Sequence, residues 1–237
     1  MKVLITGHKG FIGRHVFNDW KETHGGWVTG LDRPDDIKDF SGGDYDLVIH
    51  LAAYADIRDS QENPQKYYEN NVESSKPIFE WCREKNIRLL YASSSAVEEH
   101  YWANPYALTK WINEQMAPPN SVGMRFTTVY GPGCRENMLY ELLKNGKAKY
   151  ITNHKRDWIH VKDVCRAIRY LASSSVTGPV TIGTGKSVAV KDLATAFGQG
   201  HLPVLENTPG ERLDNVADIS MIKSTGWFPT IDVLNTI

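Results

Sequence analysis

The sequence predicts an α/β fold, a doubly wound parallel sheet with a small C-terminal lobe. Short apolar runs at 2–6, 27–31, 46–51, 88–92 and 121–126 alternate with helical patterns near 11–20, 65–85 and 104–116. Strand, helix, strand order demands crossover connections, and these lay parallel strands side by side with helices on both faces. The first apolar run passes directly into a glycine-rich loop and then a helix. With 237 residues the chain can bury a large core in one domain with an appended lobe.

The opening segment, Lys2-Val3-Leu4-Ile5-Thr6, is apolar in the manner of a strand buried on both faces. It is followed by Gly7-His8-Lys9-Gly10-Phe11-Ile12-Gly13 and a helix to about Trp20. Glycines at Gly7, Gly10 and Gly13 tighten the turn, let a pyrophosphate approach the backbone and let helix pack on strand. The helix N-terminus adds free N–H groups and a positive dipole end. This is the order of a Rossmann-like dinucleotide site, in a GxxGxxG spacing. Asp32 ends the next apolar run, nineteen residues after Gly13. A carboxylate there accepts hydrogen bonds from both ribose hydroxyls and repels a 2'-phosphate, which favours NAD over NADP. Arg33 pulls the other way, because an arginine at this place accepts that phosphate. The segment Pro34–Asp39 and a Ser-Gly-Gly turn leave no room for a full crossover helix before the strand at 46–51.

Tyr106 and Lys110 lie four residues apart on the helical pattern at 104–116, and Ser93, Ser94 and Ser95 precede them. Positions i and i+4 share a helix face. A phenol has a pKa of about 10 and becomes a base near neutrality only when a cation favours its ionised form. Two surface side chains on an amphipathic helix are the plainer alternative for the pair alone. Beyond Arg125 come a Gly/Pro loop at 131–133, helices near 137–145, 162–173 and 189–198, and strand-like segments near 148–152, 157–161 and 178–182. The pattern divides the chain into a cofactor-binding part at 1–126, joined by about 157–182, and a lobe drawn mainly from 127–237.

A net charge of -1 without a basic run gives no footprint for nucleic acid. No apolar stretch approaches the roughly 20 residues of a membrane span, and Lys2 leads into a strand, not a signal-peptide core. A cytoplasmic enzyme is expected. Cys82, Cys134 and Cys165 are scattered and read as packing residues, and the eight histidines lack metal-ligand spacing, so no metal is expected.

The Gly7 loop, Asp32, Asp36-Ile37, His50-Leu51-Ala52-Ala53, Pro64 with Tyr67-Tyr68-Glu69-Asn70-Asn71-Val72, and Ser93-Ser94-Ser95 stand in one order. Tyr106/Lys110, Arg125 to Pro132, Arg156 to Val164 and Ile182-Gly183-Thr184-Gly185 continue it. Across nearly the whole chain that order resembles the extended short-chain dehydrogenase/reductase family of nucleotide-sugar epimerases and dehydratases. The resemblance implies bound NAD, a nucleoside diphosphate sugar in the C-terminal lobe, and a homodimer formed through 65–85 and 104–116. It makes Tyr106 the acid–base at the sugar hydroxyl, Lys110 a ligand of the nicotinamide ribose that lowers the tyrosine pKa, and Ser94 a hydrogen-bond partner of the same sugar oxygen. Ser94 is favoured because it lies two residues beyond the strand at 88–92, with Ser93 and Ser95 as simple caps. Phe11, Ile12, Leu51, Ala52, Ala53, Asp36, Ile37 and Asn70 complete the implied cofactor contacts. His50 reads as packing at a strand end.

Dehydratases of the family follow the catalytic Ser/Thr with Asp-Glu, and decarboxylases keep a glutamate there. This chain has Ser95-Ala96, which leaves C4 epimerisation through a 4-keto sugar as the expected reaction. Thr128 to Met138 resembles the motif of UDP-glucuronate 4-epimerases, whose threonine and arginine at the places of Thr128 and Arg135 hold the sugar carboxylate. Glu136-Asn137 departs from that motif's usual Pro-Asp, and Arg135 as a loop or diphosphate contact stays open. Arg156 and Glu211 fall where the family places diphosphate and ribose contacts, and Arg212 stands in for a missing second arginine; a surface salt bridge is the alternative for Glu211 and Arg212. Eleven residues separate Ser94 from Tyr106, about half the family's usual number. A 4-keto sugar reductase consuming NAD(P)H, and a non-catalytic dinucleotide sensor, are the rival functions.

Overall fold

Successive side chains of a strand point to opposite faces of a sheet, and the first strand divides its residues accordingly. In chain order the first half of the protein runs β1 (Val3–Thr6), α1 (Phe11–His24), β2 (Val28–Leu31), β3 (Leu47–His50), α2 (Ile57–Glu62), α3 (Pro64–Asn71), α4 (Lys76–Lys85), β4 (Arg88–Ser94), α5 (Pro105–Met116) and β5 (Ser121–Phe126). Val3 and Ile5 pack with Trp20, Val164 and Leu171 in one core, while Leu4 packs with Ile78, Phe79 and Cys82 in another. All four residues of β1, and all four of β3, are buried. The structure is a computed structural model and describes the whole chain apart from residues 33–36, 99–100 and 207–212.

The second half runs β6 (Thr128–Tyr130), α6 (Leu139–Lys144), β7 (Ile151–Thr152), β8 (Lys155–Arg156), β9 (Trp158–His160), α7 (Val161–Ala172), β10 (Gly178–Ile182), β11 (Val188–Ala189), α8 (Val190–Ala196), β12 (Val204–Leu205), β13 (Asp214–Asn215) and α9 (Ser220–Lys223). A six-stranded sheet, parallel throughout, has the order β10-β5-β4-β3-β1-β2. The predicted doubly wound α/β fold is thus present. Between β2 and β3 a 3-10 turn at Ile37–Asp39 stands among the described residues where a crossover helix would be, and β2 is left at the sheet edge. The second half builds its own core from Tyr130, Tyr140, Leu143, Trp158 and Leu193, then returns β10 to the main sheet beside β5.

Three local differences from the sequence pattern have physical causes. The single helix expected over 65–85 is two, α3 and α4, separated by a 3-10 turn at Glu73–Ser75. Pro77 lacks an N–H and cannot continue a helix from α3, but it fits the first turn of α4. Helix α2 was not anticipated; its signal is Asp56, whose carboxylate accepts from the N–H groups of Arg58 (3.0 Å) and Asp59 (3.1 Å) as an N-cap. Strand β4 continues through Ser94, so Ser94 is its last residue instead of lying two beyond it. His50 pairs with Tyr91, whereas Ser93 and Ser94 pair only with Arg125 and Phe126 of β5. Strand β4 therefore overhangs the end of β3, with Ser94 as its last residue.

Asp163 of α7 secures the C-terminal segment. Its buried carboxylate accepts from Thr230 N (2.8 Å), Ile231 N (3.0 Å), Thr230 Oγ1 (2.8 Å) and Arg166 Nη1 (2.7 Å). Asp163→Ala strands these donors, and a loss of about 3 kcal/mol in chemical denaturation is the expected result. No helix among the described residues is long and apolar enough to cross a membrane. Nor do three or more His, Cys, Asp or Glu converge there on a common metal position.

Candidate active site

Helix α5 begins at Asn104, whose side chain accepts from Ala107 N at 2.8 Å, and Pro105 occupies the first turn. That start fixes Tyr106 at the helix entrance, where its N–H donates to Ser60 Oγ of α2 at 3.2 Å. The Ser94 side chain lies beside the Tyr106 phenol and favours its ionised form. Ser94 Oγ also accepts from Ala96 N at 3.2 Å, so the turn after β4 is capped by Ser94 itself. Ser93 and Ser95 have other duties. Ser93 donates to Glu114 at 2.6 Å, and Glu114 is held in two bonds by Arg125, while Ser95 accepts from Asn215 Nδ2 at 3.0 Å.

One helical turn later Lys110, 2% exposed, donates from Nζ to Ala92 O at 2.9 Å. Its Nζ lies 6.0 Å from the centre of the Tyr106 ring. Burial pushes the Lys110 ammonium down to about 7. Burial also pushes the Tyr106 phenol up, against which the Ser94 side chain and then the Arg135 charge act. Arg135 is thus one cation that opposes the rise. A second phenol, Tyr67, meets the Tyr106 ring edge-on at 6.5 Å. Burial, then its hydrogen bond to Asp59, drives its pKa well above the usual tyrosine range, so Tyr67 stays protonated.

Arg135 reaches this place from the turn after β6, where Gly131 (φ 138°) and Gly133 (φ 73°) adopt backbone angles that favour glycine. Its Nη2 donates to Ala55 O at 3.0 Å. Thr128 opens β6 opposite Trp158, with its N–H on Asp157 O at 3.0 Å. Arg156 lies farther along in β8, bonded through Nη2 to His154 Nδ1 at 2.7 Å. Glu211, Arg212 and Asp36 lie outside the described residues.

The glycine loop has the shape required to hold a dinucleotide. Gly7 has φ 70°, and a Cβ there would lie 2.6 Å from Ala52 N; a Cβ on Gly13 would lie 2.0 Å from Gly7 O. Side chains at either place would push the loop off β3 and off α1. Gly10, the N-cap of α1, supplies no side chain to the helix N-terminus, so the first N–H groups of Phe11, Ile12 and Gly13 face an anion's position unscreened. Asp32 Oδ2 accepts from Lys9 N at 2.8 Å, which sets the carboxylate against the loop. Leu51 N bonds Thr6 O at 3.1 Å and Ala52 N bonds Thr6 Oγ1 at 3.4 Å as the chain leaves β3, and Ala53 follows. Ile37 packs on the α4 side of the sheet. His50 is bonded to Thr6 Oγ1 (2.7 Å) and Ser75 Oγ (2.9 Å), and burial lowers its pKa to about 3, so it stays neutral.

Asn70, the expected cofactor contact, donates to Asn71 Oδ1 at 2.9 Å. Its neighbour escaped the sequence pattern. The buried Asn71 side chain accepts from Tyr54 N through Oδ1 (2.8 Å) and donates from Nδ2 to Tyr54 O (3.0 Å) and Thr109 Oγ1 (3.1 Å). A polar residue with no outlet to solvent within a helix is the signal that such a tie exists. A separate cavity of about 460 Å³, lined by Glu98, Trp102, Trp111 and Arg125 among others, opens on the other side of α5 and contains none of the expected site residues.

The model of the NAD dependent epimerase/dehydratase family matches residues 3–183. Protein CapI of Staphylococcus aureus is 34% identical over 230 residues, covering 72% of this chain and 69% of that protein. UDP-glucuronate 4-epimerase 2 of Arabidopsis thaliana is 31% identical over 231 residues, covering 70% of this chain and 53% of that longer protein. Among solved structures, MoeE5 in complex with UDP-glucuronic acid and NAD superposes with a TM-score of 0.86 at 26% identity, over 99% of this chain and 95% of that one. With its parallel sheet, glycine cradle and Ser94–Tyr106 pair, the chain belongs to the NAD dependent epimerase/dehydratase family.

Proposed function

We propose that the protein is an NAD-dependent 4-epimerase of nucleoside diphosphate sugars, with a UDP-uronate as its substrate class. The placing of Ser94 and Lys110 about the Tyr106 phenol, with Lys110 Nζ 6.0 Å from the ring and Arg135 acting on the same phenol, supports this reading most directly. Gly7, Gly10, Phe11, Ile12, Gly13, Asp32, Leu51, Ala52, Ala53 and Asn70 would hold NAD, with Asp36 and Ile37 toward the adenine. Bound NAD supplies a hydride acceptor that returns the hydride, so no net oxidation accompanies turnover.

Tyr106, as phenolate, takes the proton of the sugar C4 hydroxyl, while Ser94 holds the oxygen in line. The sugar becomes a 4-keto sugar, turns in the pocket, and receives the proton back from Tyr106 at the same oxygen. Lys110 would bind the nicotinamide ribose from its place on α5 and, as a cation beside the phenol, lower the Tyr106 pKa. Ser95 and Ala96 offer no carboxylate for removing water, which disfavours dehydration. Thr128 and Arg135 would take the uronate carboxylate, since a guanidinium binds a carboxylate through paired charge-assisted bonds. Arg156, Glu211 and Arg212 are assigned to the nucleoside diphosphate. Residues 1–126 with about 157–182 form the cofactor part of this scheme and most of 127–237 the sugar part. The exposed Tyr68 of α3 and Leu108 of α5 support a homodimer through these helices, and the cytoplasm is its proposed location.

Incubation with UDP-glucuronate, UDP-glucose and their GDP and dTDP counterparts, with products resolved by chromatography, tests the assignment. The 4-epimer of UDP-glucuronate should form without net NADH. Stoichiometric formation of NAD(P)H from added NAD(P), the reverse of a 4-keto reduction, would make the protein a reductase instead. Arg135→Met should raise KM for UDP-glucuronate about 10- to 100-fold, the range for a lost hydrogen bond to a charged group. It should also move the acidic limb of the activity profile to higher pH, because the phenolate loses a favourable cation.

A further inference from the structure

We propose that Arg14 and His15, on the second turn of α1, are positioning residues that hold Arg135 toward the sugar. This rests on the assignment of Arg135 to the uronate carboxylate. The turn at 131–135 contains two glycines at positive φ, so its own backbone does little to fix the direction in which Arg135 leaves. Two carbonyls on the back of the turn meet α1. His15 Nε2 lies 2.8 Å from Pro132 O, and the Arg14 guanidinium donates to Gly133 O. A carbonyl only accepts, so the Nε2 of His15 carries the proton in this contact. Arg14 packs so closely that a Cβ at Gly133 would lie 2.5 Å from its Nη2.

The front of the turn is tied as well, through Arg135 Nη2 to Ala55 O at 3.0 Å. Ala55 follows Tyr54, whose N and O are both bonded by Asn71. Arg135 is therefore bracketed between the helix that begins at the glycine cradle and the segment that continues from Leu51–Ala53. The two supports of the cofactor loop are also the two supports of the sugar-recognition residue.

The test uses the full chain carrying Arg14→Ala, His15→Ala or His15→Gln. Each alanine variant should lower the ratio of kcat/KM for UDP-glucuronate to that for UDP-glucose by about tenfold, the change one hydrogen bond of ordinary net strength supports. The loss should fall on KM, with kcat, NAD content and Tm held. His15→Gln, whose carboxamide N–H can donate to the Pro132 carbonyl, should restore most of the ratio. Where the wild type prefers UDP-glucuronate, an unchanged ratio, or an equal loss for both sugars together with a lower Tm, would overturn the proposal. Amide hydrogen exchange over 131–138 reads the anchoring without any sugar and should quicken in both alanine variants; unchanged protection would sink the proposal whatever the substrate. Faster exchange in variants of a wild type that treats both sugars alike would leave the anchoring standing and remove the uronate assignment.

Discussion

Tyr106→Phe should lower turnover by about 10²- to 10⁴-fold while NAD stays bound, because general acid–base catalysis contributes on that scale. The substitution removes one oxygen and keeps the ring. The edge-on contact with Tyr67 and the backbone bond from Tyr106 N to Ser60 both survive, so the helix entrance should hold its shape. Ser94 keeps its bond to Ala96 N, and its hydroxyl stays at the end of β4. Turnover and NAD content measured on the same preparation check the result. Unaltered turnover would remove Tyr106 from the chemistry, and loss of NAD would make its role one of cofactor binding. Tyr67 is no substitute, since its phenol is held protonated by burial and by Asp59.

Lys110→Met should make the cofactor-free protein more stable at pH 7 even as it abolishes useful turnover. Burial lowers the Lys110 pKa from 10.5 to about 7, so the folded state binds the proton less readily than the unfolded chain does. Between those pH values the unfolded state carries more protons, and wild-type stability must rise as pH increases from 7 toward 10.5. Below pH 7 the whole penalty is present. Methionine carries no charge to desolvate and fills a similar space, although the bond to Ala92 O is lost. A net gain of roughly 2 kcal/mol, or about 4–8 °C in Tm, is expected at pH 7 and should disappear near pH 10.5. Thermal unfolding of the cofactor-free wild type and variant at both pH values measures it. A variant less stable than wild type at pH 7 would show that the amine sits in a compensated site.

Both predictions concern side chains whose types were legible before any coordinate. The alternation of apolar runs with helical patterns fixed a doubly wound sheet, because only crossovers join parallel strands and only apolar runs can be buried on both faces. The Gly7 to Gly13 spacing and Asp32 marked the cofactor loop, because glycine tolerates the backbone angles and close approaches of such a turn. Helix α2 and the break between α3 and α4 were written in Asp56 and Pro77, and a stricter reading of caps would have found both. The adjacency of Ser94 to Tyr106 was carried by the family's order of motifs.

Tertiary structure decided what a spacing rule cannot reach. Whether Arg135 acts on Tyr106 depends on where a turn 29 residues farther along the chain is pinned, and Arg135 is pinned to Ala55 and, through its turn, to α1. Lys110, four residues away in sequence, donates to Ala92 O near the end of β4, and burial, which no spacing reveals, lowers its pKa to about 7. Sequence by itself determined the set of chemical groups and the layered frame that carries them. The fold determined their charge states and mutual reach, because desolvation and distance belong to the packed molecule and not to the chain.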